Sequence, residues 1–173
     1  TECPSGTDRV YEIYKDKLKT KVDLIINLQG DMPNIKPDSI TKLEKLMRKS
    51  NCNIGTLACS IKDKNEIMDP NIVKVELKEN LRDDNFLLAQ DFFRIKKDLK
   101  SEKVYHHIGI YAFTSNALTQ YVELSRSKLE MERNLEQMRA MENNMLIKVG
   151  LSNSIPLGVD TEEDFKKVSK EMS

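Results

Sequence analysis

Short apolar runs alternate along this chain with stretches in which apolar residues return every three or four positions, and that alternation constrains the fold more than any other feature. The runs at 22–28, 54–61, 71–77, 85–93, 106–113 and 146–151 each predict a β-strand. The helical spacing falls between them. At 5–18, Ser5 offers a cap ahead of Val10, Ile13 and Tyr14, and at 37–49, Pro37 opens a segment with Ile40, Leu43, Leu46 and Met47 on one face. Helices are also predicted at 115–124, 128–144 and 161–172, the last capped by Asp160 or Thr161. Strands interleaved with helices predict an α/β domain over 1–173, with a mostly parallel central sheet flanked by helices. Ligands of such sheets gather beyond the carboxyl ends of the strands. Asp31, just past the 22–28 strand, has that position, and Asp160 after "IPLGV" has a comparable one.

Composition removes several classes of protein. Lys plus Arg and Asp plus Glu number 28 each, so the formal charge is zero, without the basic excess of a chain built to grip nucleic acid. No apolar stretch approaches the length of a membrane span. Cys3, Cys52 and Cys59 form no CxxC pair and cannot all pair with one another, which favours a reducing compartment, and the cytoplasm is the expected location.

Residues 25–33, "IINLQGDMP", carry an apolar run into a turn that presents a carboxylate. Mg²⁺ prefers oxygen donors and is typically held by one or two carboxylates together with substrate phosphates, a chemistry that Asp31 and Asp160 match. Each also has a structural reading, Asp31 as a turn former before Met32 and Pro33, Asp160 as a helix cap, and the pattern leaves both open. "SGTDR" at 5–9 is a glycine turn entering a helix, suited to an anion with Arg9 nearby or simply to an ordinary cap. His106 and His107 adjoin in one strand and point to opposite faces, which opposes a paired metal site. Tyr111 shares the face of His107. Met131, Leu135, Met138 and Met141 recur at helical spacing and predict a core or subunit contact. Glu136 and Gln137 lie beside them, as sugar-reading groups or as a solvated face.

Six collinear stretches, "SGTDRVYE", "INLQGDMP", "DPNIVKV", "HHIGIYAF", "LEQMRAMENN" and "IPLGVDTEEDFKKV", resemble the 3-deoxy-manno-octulosonate (Kdo) cytidylyltransferase family, also called CMP-Kdo synthetases. They run from Ser5 to Val168. The resemblance implies a Rossmann-like nucleotidyltransferase fold and a Mg²⁺-dependent reaction of CTP with Kdo, giving CMP-Kdo and pyrophosphate for lipopolysaccharide synthesis. It implies Asp31 and Asp160 as metal carboxylates, and Ser5, Gly6, Asp8, Arg9, Gln29 and Gly30 on the CTP side. Arg94, His107, Tyr111, Glu136 and Gln137 are implied for Kdo. A homodimer is implied too, with residues of about 106–145 forming the sugar-binding and dimerisation segment.

The chain departs from the family pattern at four places. Met32 stands where many members carry an acid, "QDFFR" replaces a strand closer to "LYFTR", and Arg133 takes the place of a glutamate. The N-terminal strand and basic loop that wrap the CTP phosphates are not found. The chain is therefore expected to be an N-terminally truncated part of the enzyme, lacking about two βαβ units, roughly 60 residues. Two alternatives accompany this reading: a non-catalytic sugar-binding or dimerisation module, and a cytidylyltransferase for another acidic sugar such as a sialic acid.

Overall fold

The computed structural model describes residues 3–19, 21–159 and 161–171. Six strands are described: β1 (Leu24–Asn27), β2 (Ile54–Ser60), β3 (Lys74–Leu77), β4 (Phe86–Phe93), β5 (Val104–Thr114) and β6 (Ile147–Leu151). The helices are α1 (Gly6–Ile13), which continues into a π-turn at Tyr14–Leu18, α2 (Pro37–Lys49), α3 (Asn65–Met68), α4 (Ser115–Glu123), α5 (Lys128–Arg133), α6 (Gln137–Glu142) and α7 (Glu162–Glu171). Among the described residues no helix is long and apolar enough to cross a membrane.

The expected parallel sheet is not what forms. Strand order is β1-β5-β2-β6-β4-β3, and β3 returns to pair with β5, so five of the strands close into a small barrel with β1 attached alongside. Among the described residues only β2 and β6 run parallel, and every other pairing is antiparallel. The apolar runs misled for a physical reason. Strands covered on both faces read as continuous hydrophobic stretches, a pattern usual for parallel sheets. Here β2 and β5 are covered on both faces while pairing antiparallel. On one side Ile54, Tyr111 and Phe113 pack with Leu118 and Tyr121 of α4. On the other, Leu57, Ile108, Ile110 and Ala112 pack with Leu43 and Met47 of α2. The helix comes close because β2 and β6 carry glycines beneath it: a Cβ at Gly55 would lie 2.6 Å from Met47 Sδ, and one at Gly150 2.4 Å from Leu46 Cδ1.

Strand β5 is long enough to take different partners along one edge. Residues 104–106 pair with β3 and residues 111–114 with β1, while β2 follows the opposite edge. The β2–β5 register shifts at Thr56 and Leu57, where Gly109 and Ile110 are extra. The Thr56 hydroxyl lies 2.7 Å from the Ile110 carbonyl and 3.1 Å from that of Ile108, satisfying the backbone that the irregularity frees.

The predicted helix over 128–144 is two helices. Ser127 and Glu130 form a reciprocal capping box at the start of α5. Asn134 then takes a left-handed conformation, φ 51°, and α6 leaves in a new direction. Asparagine tolerates that region better than other side-chain-bearing residues. The break divides the predicted methionine stripe, so that Leu135 and Met138 are buried while Met131 is exposed.

Candidate active site

An open cleft of about 1090 Å³ lies beside the barrel. Four segments supply most of its wall: the turn after β1, the loop 69–73, the β4 end with the β5 strand, and the elbow between α5 and α6. It brings together Gln29, Asp31, Arg94, His107, Tyr111, Glu136 and Gln137 from distant parts of the sequence. Asp160 lies outside the described residues. Ser5, Gly6, Asp8, Arg9 and Gly30 do not border the cleft, although a Cβ at Gly6 would come 3.6 Å from Gln29 Oε1.

Residues 29–32 form a turn closed by the Met32 N–H on the Gln29 carbonyl at 3.2 Å. Asp31 is exposed at its tip, and among the described residues its carboxylate has no hydrogen-bond or ion-pair partner. Its backbone carbonyl accepts from Val159 N–H at 2.8 Å, and Asn34 Oδ1 accepts from Leu157 N–H at 3.0 Å. The "IPLGV" segment therefore runs along the Asp31 turn. Among the described residues no cluster of three or more metal-ligating side chains occurs.

Both histidines border the cleft, with rings diverging as strand geometry dictates. His106 Nδ1 lies 2.9 Å from Glu66 Oε2. His107 is buried between Phe92 and Tyr111, with ring centroids at 5.0 and 5.4 Å, and its Nε2 is 3.0 Å from the Thr56 hydroxyl. That hydroxyl has one proton, best placed on the nearer Ile110 carbonyl. His107 Nε2–H then donates to Thr56, and Nδ1 is left as an acceptor. Burial, helped by His106, pushes the His107 imidazole down to about 3, so the ring is neutral at neutral pH. Tyr111 is held far above the usual phenol range, first by burial and then by Glu136. Its buried hydroxyl has no partner among the described residues. An orphaned polar atom at a cleft wall is suited to a ligand.

Arg94 enters the cleft from the end of β4. Its Nη1 donates to the carbonyls of Pro70 and Asn71 at 3.2 and 2.9 Å. Across the cleft, the elbow is anchored from behind by a buried ion network that sequence reading missed. Arg139 is 1% exposed and grips Glu130 with two bonds, Nε to Oε2 at 2.9 Å and Nη2 to Oε1 at 2.8 Å. Its Nη1 reaches Asp8 at 3.3 Å, and the guanidinium lies 4.6 Å from the Tyr121 ring centre. Tyr121 in turn donates to the Glu136 carbonyl at 2.9 Å, and the Thr7 N–H reaches the Glu136 carboxylate at 3.4 Å. Burial disfavours both charges of the Arg139–Glu130 pair, but their mutual bonds win, holding Arg139 above and Glu130 below their usual ranges. Glu130 and Arg139 are nine residues apart across a bend, and no helical spacing announces them. Two departures from the family pattern also meet: Arg133 Nη1 contacts Asp91 at 2.5 Å and the Phe92 carbonyl at 2.7 Å, tying α5 to β4.

Known proteins define the class. A family model described as Cytidylyltransferase matches residues 1–147. A solved CMP:2-keto-3-deoxy-manno-octonic acid synthetase complexed with CTP superposes with a TM-score of 0.85 at 31% identity, covering 98% of this chain and 68% of that one. A 4-diphosphocytidyl-2C-methyl-D-erythritol synthase from Anaerococcus prevotii, TM-score 0.59 at 15% identity, covers 97% of this chain and 66% of that one and shares the fold alone. The architecture is thus a nucleotidyltransferase-like α/β fold. A 3-deoxy-manno-octulosonate cytidylyltransferase from Bartonella henselae is 41% identical over 96% of this chain and 68% of its own length. The chain belongs to the cytidylyltransferase family, among the 3-deoxy-manno-octulosonate cytidylyltransferases.

Proposed function

We propose that this chain serves cytidylyl transfer from CTP to Kdo, giving CMP-Kdo and pyrophosphate for lipopolysaccharide synthesis in the cytoplasm, as part of a homodimer. Family membership supports the reaction. One structural observation carries the site: a single cleft gathers Asp31, Arg94, His107, Tyr111, Glu136 and Gln137.

In this reading the anomeric hydroxyl of Kdo attacks the α-phosphorus of CTP. A new P–O bond forms, the bond to the β-phosphate breaks, pyrophosphate leaves, and the hydroxyl proton passes to solvent. Asp31 and Asp160 would hold Mg²⁺, a role that suits an exposed carboxylate with no protein partner among the described residues. The ion when bound would neutralise charge on the phosphates. The chain's own groups position the reactants. Gln29 and Gly30 lie on the nucleotide side, with Ser5, Gly6 and Arg9 behind them; Asp8 contributes by anchoring Arg139. Arg94 binds the sugar carboxylate through the guanidinium nitrogens not spent on Pro70 and Asn71. His107 Nδ1 accepts from a sugar hydroxyl, and Tyr111 and Gln137 supply further hydrogen bonds. Glu136, already facing Thr7 N–H, adds an acceptor.

The test is pyrophosphate release on mixing the protein with CTP, Kdo and Mg²⁺. It is run on residues 1–173 and on the same residues preceded by a family-type N-terminal segment. Release that requires both Kdo and Mg²⁺ is the expected result. No release from either protein, with the fold verified, would leave a non-catalytic sugar-binding module. Release with sialic acid but not Kdo would reassign the sugar.

A further inference from the structure

The "DPNIVKV" stretch is packed in an unusual way. Lys74, the first residue of β3, is wholly buried, 0% exposed. Buried lysines normally have an anionic partner, yet among the described residues Lys74 forms no ion pair. Its ammonium instead donates to the carbonyls of Asp69 and Ile72 at 2.7 and 2.8 Å. Arg94, which also lacks an ion-pair partner among the described residues, takes the two carbonyls between them, Pro70 and Asn71. Four consecutive carbonyls of one cleft-lining loop are thus divided between two cations. Asp69, the acid whose charge Lys74 feels, has its carboxylate turned to its own loop, accepting Asn71 N–H at 2.8 Å. Register places Lys74 opposite Phe93, the residue before Arg94, so the two cations adjoin across the β3–β4 pair.

We infer that Lys74 is a positioning residue for a carboxylate-bearing ligand: it fixes the carbonyl loop that orients Arg94 and leaves this end of the cleft with two positive charges that only an anion completes. The inference rests on the cytidylyltransferase reading for the ligand's identity. Lys74 itself is too buried to touch the ligand. It acts through the loop and through its charge, which is little screened in the interior.

The experiment is calorimetric titration of the chain with Kdo, with the C1 amide of Kdo and with CTP. The proteins are wild type, Lys74→Met and Lys74→Arg, each checked by thermal unfolding. Lys74→Met should bind Kdo about tenfold more weakly, the scale of losing one charge-assisted contribution, while binding CTP and the uncharged amide as wild type does. Lys74→Arg, which keeps charge and donors, should recover most of the Kdo affinity and decides the matter if Lys74→Met does not fold. Equal Kdo affinity in all three proteins would overturn the inference, as would a parallel loss for Kdo and its amide. If wild type ignores Kdo but binds pyruvate in a Lys74-dependent manner, the acid subsite stands and the Kdo assignment falls. Binding of neither acid removes both.

Discussion

The two sides of the cleft are built by opposite means. At the α5–α6 elbow, the charged groups behind the wall are paired: Glu130 is bound by Arg139, Arg126 and Ser127, Arg139 also holds Asp8, and Tyr121 holds the Glu136 carbonyl. At the 29–32 turn, three backbone bonds are the described constraints, Met32 N–H to Gln29, Ile35 N–H to Met32 and Val159 N–H to Asp31, and the Asp31 carboxylate stands in solvent. Under the proposed function the elbow would read hydroxyl positions on a sugar, and such a wall must be rigid before the ligand arrives, because shape selectivity needs preorganisation. Asp31 would meet a hydrated cation and has no such need, since a cation organises its own oxygens.

Three substitutions or conditions test this contrast. Asp31→Asn should lower the rate of pyrophosphate release by roughly a thousandfold or more while shifting urea stability by less than about 0.5 kcal/mol. A large stability change would place Asp31 among the structural residues and erase the contrast. Arg139→Met should do the reverse of a local chemical defect. It leaves Glu130, 2% exposed, without its principal counter-ion, and costs about 3–5 kcal/mol in urea unfolding. A cost below 1 kcal/mol would mean that the elbow is held by packing alone.

The third concerns pH. His107 is about 3 in the folded protein against an ordinary 6.5, so between these values the unfolded chain binds more protons. Stability is therefore fully present above pH 6.5 and falls as pH drops through that window, by about 2–3 kcal/mol between pH 6.5 and 4.5. Urea midpoints across this range should decline in wild type and flatten in His107→Gln. The same slope in both proteins would show that the buried ring is not the group responsible.

What the sequence announced and what it hid follow a physical division. All six strands were legible because a buried strand must be apolar, and their predicted positions agree with those observed to within a few residues. Their pairing was not legible. Both-face burial signals helices on each side of a sheet, and it is silent on whether neighbouring strands run together or opposed. The elbow escaped because Asn134 fits a helix pattern as well as a left-handed bend until tertiary contacts choose. The cleft residues around Arg94, His107, Tyr111 and the Glu136–Gln137 pair were found through resemblance rather than periodicity, and the structure gathers them. Lys74 and Arg139 went unremarked, since a lysine in a strand and an arginine in a helix are surface residues by default, and only coordinates reveal them inside.

The length of β5 has a consequence for how the molecule is made. Its residues pair with β1, β2 and β3, all of which precede it in the chain. As synthesis proceeds, β1 and β2 must wait without an antiparallel partner until residues 104–114 emerge. Only β3 and β4, joined by a short connection, can pair beforehand. Contacts this distant along the chain slow folding. Substitutions in β5 should therefore disturb the rate at which native protein accumulates more than those in any other strand.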